Sequence, residues 1–158
     1  SKTAIESDFK ISVANLKTHD TVKVSLAVKN WAIGTWVVQP KIEADGKKWS
    51  RFDVLHQDEP DAIHQRIAAL YVQNKPDLAI IDGYMGMEGD GPSQGDPIEM
   101  KVALAGVDSV AVDVTACRLM GVDPNSVSYL KQLAQPEHGQ IELVGQTDLS
   151  KLTKQFKI

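Results

Sequence analysis

Cysteine is almost missing from this chain: among 158 residues only Cys117 is present. A single thiol forms no internal disulfide and cannot supply the cysteine sets that hold zinc or an iron–sulfur cluster. Long apolar runs are missing too. No stretch of about 18 consecutive apolar residues occurs, so no membrane-spanning helix is expected and no membrane is an expected partner. The net charge is -4. Without a basic surplus to offset phosphates, nucleic acid is not an expected partner either. The opening SKTAIESDFK has neither the basic segment nor the apolar core of a secretory signal. With the lone cysteine, this sets the expectation of a reducing, cytoplasmic setting.

What is present suits a folded chain. Hydrophobic residues make up 42% and charged residues 24%, an ordinary balance for a globular protein. The length fits one domain over residues 1–158. Phe9, Ile11 and Val13 alternate with polar neighbours, which predicts a strand ending in the polar stretch NLKTHD and makes Lys17 and His19 loop residues. Val22, Val24, Leu26 and Val28 alternate likewise and predict a second strand over 22–28. Residues 34–57, with Gly34, Pro40 and the turn signal Asp45-Gly46, read as a hairpin-like excursion; Trp31, Trp36 and Trp49 would cover a core edge.

Asp58 and Pro60 then open a helix with Ile63, Ile67, Leu70 and Tyr71 on one stripe, ending near Asn74. LAIID is a short apolar run that suits a strand buried on both faces. A glycine-rich loop would occupy 83–98, followed by a strand at MKVALAG. Asp108 caps a helix carrying Val110, Val114 and Cys117 and closed by Gly121. Asp123 and Pro124 open another helix with Val127, Leu130 and Leu133 inside, and IELVG predicts a last strand. Strands alternating with helices predict an α/β fold, three-layered, with a mixed or mostly parallel sheet and helices on both faces.

Two segments could carry chemistry. In NLKTHDTVKVSLAVKNWAIG, Lys17, His19, Lys29 and Asn30 lie near the two ends of one predicted strand. Lysines and a histidine there can receive a phosphate, carboxylate or enolate, and the histidine can move a proton near neutral pH. Solvated surface lysines and a backbone-bonded histidine are the plain alternative. The second segment, DGYMGMEGDGPSQGDP, follows the LAIID strand directly, where ligands of open α/β sheets bind. Gly89 and Gly91 could let backbone amides approach a ligand, and Asp82, Asp90 and Asp96 could ligate a hard divalent cation. The alternative is a rigid loop whose glycines only permit tight turns.

Known glycine-rich motifs do not fit it. The spacing is not an EF-hand. Gly86 and Gly91 have the P-loop gap, but Pro92 stands where lysine must follow, and the third glycine of a dinucleotide fingerprint is replaced by Gln94. Asp108 reads as a cap. Asp113 sits among valines and needs a partner if buried. His56 and His64 have no partner at metal-ligand spacing, His138 reads as a turn residue, and Cys117 as core.

The succession LKTH, VKNWAIG, IIDGYMGMEGDGPSQGDP and ALAGVDSVAVDVTACRLMGVDP resembles the family called domain of unknown function 362 over about residues 8–130. The resemblance rests on a lysine–histidine pair ahead of a KN element, a strand ending in D-x6-GDGP, and a D-x-V-A-x-D helix closed by G-x-D-P. It implies that Lys17, His19, Lys29, Asn30, Asp82, Asp90 and Asp113 contribute to a site. Members of this family usually begin with a further strand and a lysine–proline–asparagine loop, so this chain could be a fragment of a longer protein. Many also carry a ferredoxin-like segment with two cysteine quartets. This chain lacks those cysteines, so it holds no cluster of its own, and a ferredoxin-like protein becomes a candidate partner.

Two readings of function follow. In one, Lys17, Lys29 and Asn30 hold an anionic small molecule, His19 acts as acid or base with Lys17 beside it, and the acidic loop places a divalent cation or polar substrate opposite. In the other, the chain is a binding module without chemistry that docks a ferredoxin-like protein or other subunit through an exposed tryptophan patch. Neither names a substrate, a metal or an oligomeric state.

Overall fold

In a computed structural model of the chain, the structure describes residues 1–37, 41–42, 48–56, 61–134 and 140–158, with backbone alone for 41–42, 48–49 and 51–52. The elements run α1 (Lys2–Glu6), β1 (Ile11–His19), β2 (Lys23–Ser25), α2 (Ala27–Thr35), β3 (Lys41–Ile42), β4 (Lys48–Trp49), α3 (Arg51–Leu55), α4 (Ala62–Gln73), β5 (Leu78–Glu88), β6 (Asp96–Gly106), α5 (Ser109–Leu119) and α6 (Ser128–Leu133), with short 3-10 turns at Pro124–Ser126 and Leu149–Lys151. The fold is α/β, as the alternation predicts. Its main sheet is mixed, in the order β2-β1-β5-β6, and is flanked by helices. β1 runs parallel to β5, and the β1–β2 and β5–β6 pairs are antiparallel. β3 and β4 form a small separate two-stranded antiparallel sheet inside the expected excursion.

Strand alternation decides where the core sits. Ser12, Ala14, Leu16 and Thr18 of β1 are buried, while Ile11 and Val13 are 45% and 60% exposed. Register places Ser12 beside Ala79 and Ala14 beside Ile81, so these residues share the face against which α2 and α5 pack. α4 lies behind α2 and contacts α6. Leu16, Ile67, Ile81, Leu119 and Leu130 are almost fully buried, each contributing roughly 1.5–3 kcal/mol through removal from water. No helix among the described residues is long and apolar enough to cross a membrane.

Five expectations need correction. β1 continues through His19, because NLKTH pairs with β2 on one side and β5 on the other; Lys17 and His19 are strand residues. The second strand stops at Ser25, and Ala27 starts α2 despite the valine run, because the Asp113 carboxyl group accepts from the Ala27 and Val28 amides at 2.9 and 3.0 Å. That buried cap overrides local β preference. LAIID is buried on one face only: Ala79 and Ile81 are buried, whereas Leu78 and Ile80 are half-buried. The glycine-rich stretch is the β5–β6 hairpin, not a loop over 83–98. Gly83 and Gly86 lie within β5, where an added Cβ would meet the Val102 side chain at 2.7 Å and the Leu16 carbonyl at 3.1 Å. Finally, IELVG forms no strand.

The helices agree better. α4 ends at Asn74 as expected, although Asp58 and Pro60 lie outside the described residues and Asp61 occupies the cap position. Asp108 accepts from the Val110 and Ala111 amides, and Gly121 has φ of 68° just beyond α5. His64 is a core residue whose Nδ1 accepts from the Tyr129 amide. His138 and the Asp45-Gly46 turn lie outside the described residues.

Candidate functional site

The parallel pair β1–β5 brings the two chemically loaded segments to one end of the sheet, the carboxyl end at which open α/β sheets place ligands. Lys17 and His19 are two residues apart on β1 and so project from the same face. Lys29, in the first turn of α2, lies close enough for its charge to bear on His19, and Lys17 bears on it in turn. Its ammonium is held down to about 8 by burial and by the neighbouring positive charge of Lys17, with Asp20 opposing. His19 is 8% exposed. Burial, and then Lys29, hold its imidazole down to about 4, with His56 and Lys17 adding to the same effect and Asp20 opposing it. It is therefore neutral near pH 7. Among the described residues, Lys17 and Lys29 have no carboxylate partner at ion-pair distance; the Lys17 ammonium donates to the Pro92 carbonyl at 3.3 Å.

Two members of this cluster are not evident from motif reading. His56, just after α3, lies close enough to bear on both His19 and Asp20. Asp20 follows His19 in the turn to β2, and its Oδ1 stands 2.9 Å from His19 Nδ1. The same oxygen accepts from the Thr21 amide at 2.6 Å and the Thr21 hydroxyl at 2.9 Å. Partial burial works to raise the Asp20 carboxyl, but the Thr21 hydrogen bonds outweigh it and hold the group below its ordinary range. The signal for Asp20 was its adjacency to His19 in KTHD.

The hairpin tip docks onto this end of β1. Gly91 accepts from the Asp20 amide at 3.0 Å, and Gly89 accepts from the Thr18 hydroxyl at 2.9 Å. A Cβ at Gly91 would stand 2.2 Å from the Thr18 carbonyl oxygen, so only glycine lets the backbones meet. The amides proposed for a ligand are already engaged: Gly89 donates to Lys157 and Gly91 to Gly89. A hollow of about 360 Å³ beside the tip is lined by Asn15, Leu16, Lys17, Met85, Met87 and Pro92, among others. A larger one of about 580 Å³, lined by Tyr71, Lys75, Asp108 and Gln132 among others, lies at the opposite end of the sheet, away from the cations.

The remaining candidates do not join the cluster. Asn30 turns to β1, donating to Ser12 Oγ and the Val13 carbonyl. Asp82 accepts from the Tyr84 amide in mid-strand. Asp96 pairs with Glu88, six residues along β5 from Asp82 and so roughly 20 Å away at about 3.3 Å per residue; the two cannot share an ion. Asp90 is exposed at the tip. Among the described residues no group of three His, Cys, Asp or Glu side chains could hold a metal. Asp113 is fully buried, and burial pushes its carboxyl up to about 8 against the lowering effect of its two amide donors. It acts as the cap that fixes the first turn of α2, and hence Lys29.

Comparison with known proteins places the chain in a family. The model of the domain of unknown function DUF362 matches residues 1–118. The thylakoid-associated protein sll1697 of Synechocystis sp. is 32% identical over 130 residues, covering 80% of this chain. The chain spans 37% of that relative's length. No solved structure matches.

Proposed function

The chain belongs to the DUF362 family, and within it we propose that the carboxyl end of β1 binds a small oxyanion, a phosphate or carboxylate, with His19 as the group that moves a proton. The observation that carries this reading is that Lys17, Lys29 and neutral His19 lie near enough to act on one another, with Asp20 opposing them and neither lysine in an ion pair among the described residues. Two like charges brought together with partial loss of water raise each other's free energy, and an anion relieves both effects. A neutral imidazole beside bound anionic substrate is ready to accept a proton, and the anion would in turn stabilise the imidazolium formed.

Docking of a ferredoxin-like partner through tryptophans has less support. Trp31 and Trp36 are half-buried, and the Trp31 indole donates to the Asn74 carbonyl; the side chain of Trp49 lies outside the described residues. A divalent cation held jointly by Asp82, Asp90 and Asp96 has no geometric support.

Titration with inorganic phosphate, followed through backbone amide signals, tests the reading. Shifts should concentrate at residues 17–21 and at Lys29, and Lys29→Met should weaken binding at least about tenfold, about 1.4 kcal/mol. Absence of shifts with phosphate, sulfate and malonate at tens of millimolar would sink it.

A further inference from the structure

We infer that Asp20 is a positioning residue that fixes His19 as the Nδ1-protonated tautomer, leaving Nε2 as the nitrogen that accepts a proton. The inference deepens the reading above and rests on it for the role of His19, but its geometry stands alone. His19 Nδ1 has two neighbours competing to set its state. The Thr21 amide at 3.2 Å would make Nδ1 an acceptor; Asp20 Oδ1 at 2.9 Å would make it a donor. The same Thr21 amide stands only 2.6 Å from Asp20 Oδ1. The shorter contact, to a charged oxygen, is the stronger one. The amide therefore belongs to Asp20, and Nδ1 carries a hydrogen that it donates to the carboxylate. A histidine whose one nitrogen is held by a carboxylate presents the other in a defined direction and protonation state.

Asp20 is 68% exposed, so water could compete for it if the carboxylate were free to turn. It is held from three directions. The Thr21 hydroxyl and amide both donate to Oδ1, and the Asp20 backbone donates to Gly91 at the hairpin tip. The GDGP segment, read from composition as a ligand loop, thus serves the histidine indirectly by fixing the turn that carries Asp20. The charged and titratable groups around the imidazole are Lys17 and Asp20 from β1 and its turn, Lys29 from α2 and His56 after α3. Of these, Asp20 alone offers a carboxylate acceptor.

Long-range nitrogen–proton correlation spectra of the full chain near pH 7, without added anion, read the tautomer directly. The unsubstituted chain should show Nδ1 protonated and Nε2 bare. Asp20→Ala should release Nδ1 to accept from Thr21 and exchange the two nitrogen shifts. Asp20→Asn, whose amide oxygen can still accept, should restore the original pattern. An Nε2-protonated ring in the unsubstituted chain, or an unchanged tautomer in Asp20→Ala, overturns the inference; if Asp20→Ala does not fold, the unsubstituted chain and Asp20→Asn still decide it. The two readings fail separately. An intact tautomer without phosphate shifts removes only the anion site, and bound phosphate with the opposite tautomer removes only the role of Asp20.

Discussion

The two segments that meet at the end of β1 are similar in polarity and opposite in how they use it. The glycine-rich tip consumes its hydrogen-bonding groups on the protein: Gly89 is engaged by Lys157 and Thr18, and Gly91 by Asp20 and by Gly89 itself. The LKTHD end of β1, with Lys29, leaves much of its charge unspent. Composition alone does not separate a loop that binds a ligand from one that binds its own fold. Accounting for each donor and acceptor does, because a buried polar group must find a partner somewhere.

Gly91→Ala tests the structural side of that contrast most severely. The new methyl would stand 2.2 Å from the Thr18 carbonyl oxygen, a backbone atom that cannot swing aside. A loss of about 3 kcal/mol is expected, measured by urea unfolding, with displacement of the tip from residues 18–20. Gly89 supplies the internal control. A Cβ there meets nothing within 4 Å, and only its φ of 74° opposes a side chain, so Gly89→Ala should cost about 1 kcal/mol. Equal effects would mean that the tip is not docked as described.

Asp113→Ala probes the other side, where α2 delivers Lys29. Removing the carboxyl group leaves the buried Ala27 and Val28 amides without their acceptor, which should cost about 2 kcal/mol and shift the signals of Lys29. Asp113→Asn separates charge from shape. The folded carboxyl, at about 8, lies above an unfolded value of about 3.9, so its contribution to stability is fullest below the unfolded value and is lost as pH rises through about 8. Asp113→Asn should therefore flatten the pH dependence of stability across that window in urea unfolding, whatever its constant offset. An unchanged slope would mean that Asp113 is already ionised in the fold.

Local patterns carried much of this architecture. Asp108, Gly121 and the Ile63–Ile67–Tyr71 stripe can be read because caps and helical spacing are local physics. The start of α2 could not be read this way, because its cap comes from Asp113, 86 residues away, and the valine run pointed to a strand. The site divided along the same line. Lys17, His19 and Lys29 were legible as residue types, and the parallel β1–β5 register then brought the GDGP tip against the same strand end. Asn30, Asp82, Asp90 and Asp96 had equally suitable chemistry, but pairing turned them to β1 or spread them along the hairpin. Asp20 escaped notice because an acid beside a histidine has meaning only once the turn folds its oxygen back to Nδ1.

The smallest predicted effect tests whether the cations of the cluster sense one another. Lys29 should half-titrate near pH 8, lowered by burial and by Lys17. Lys17→Met removes a positive charge while keeping an apolar stem, so protonated Lys29 becomes easier to form and its midpoint should rise toward, without reaching, the usual lysine value of about 10.4. Bound phosphate should move the midpoint in the same direction, since it adds opposite charge beyond that of Asp20. Amine-reactive labelling of Lys29 as a function of pH, read by mass spectrometry, reports both shifts. A midpoint unaffected by Lys17→Met would make burial the whole cause and dissolve the cluster into separate lysines, leaving the two segments alike after all.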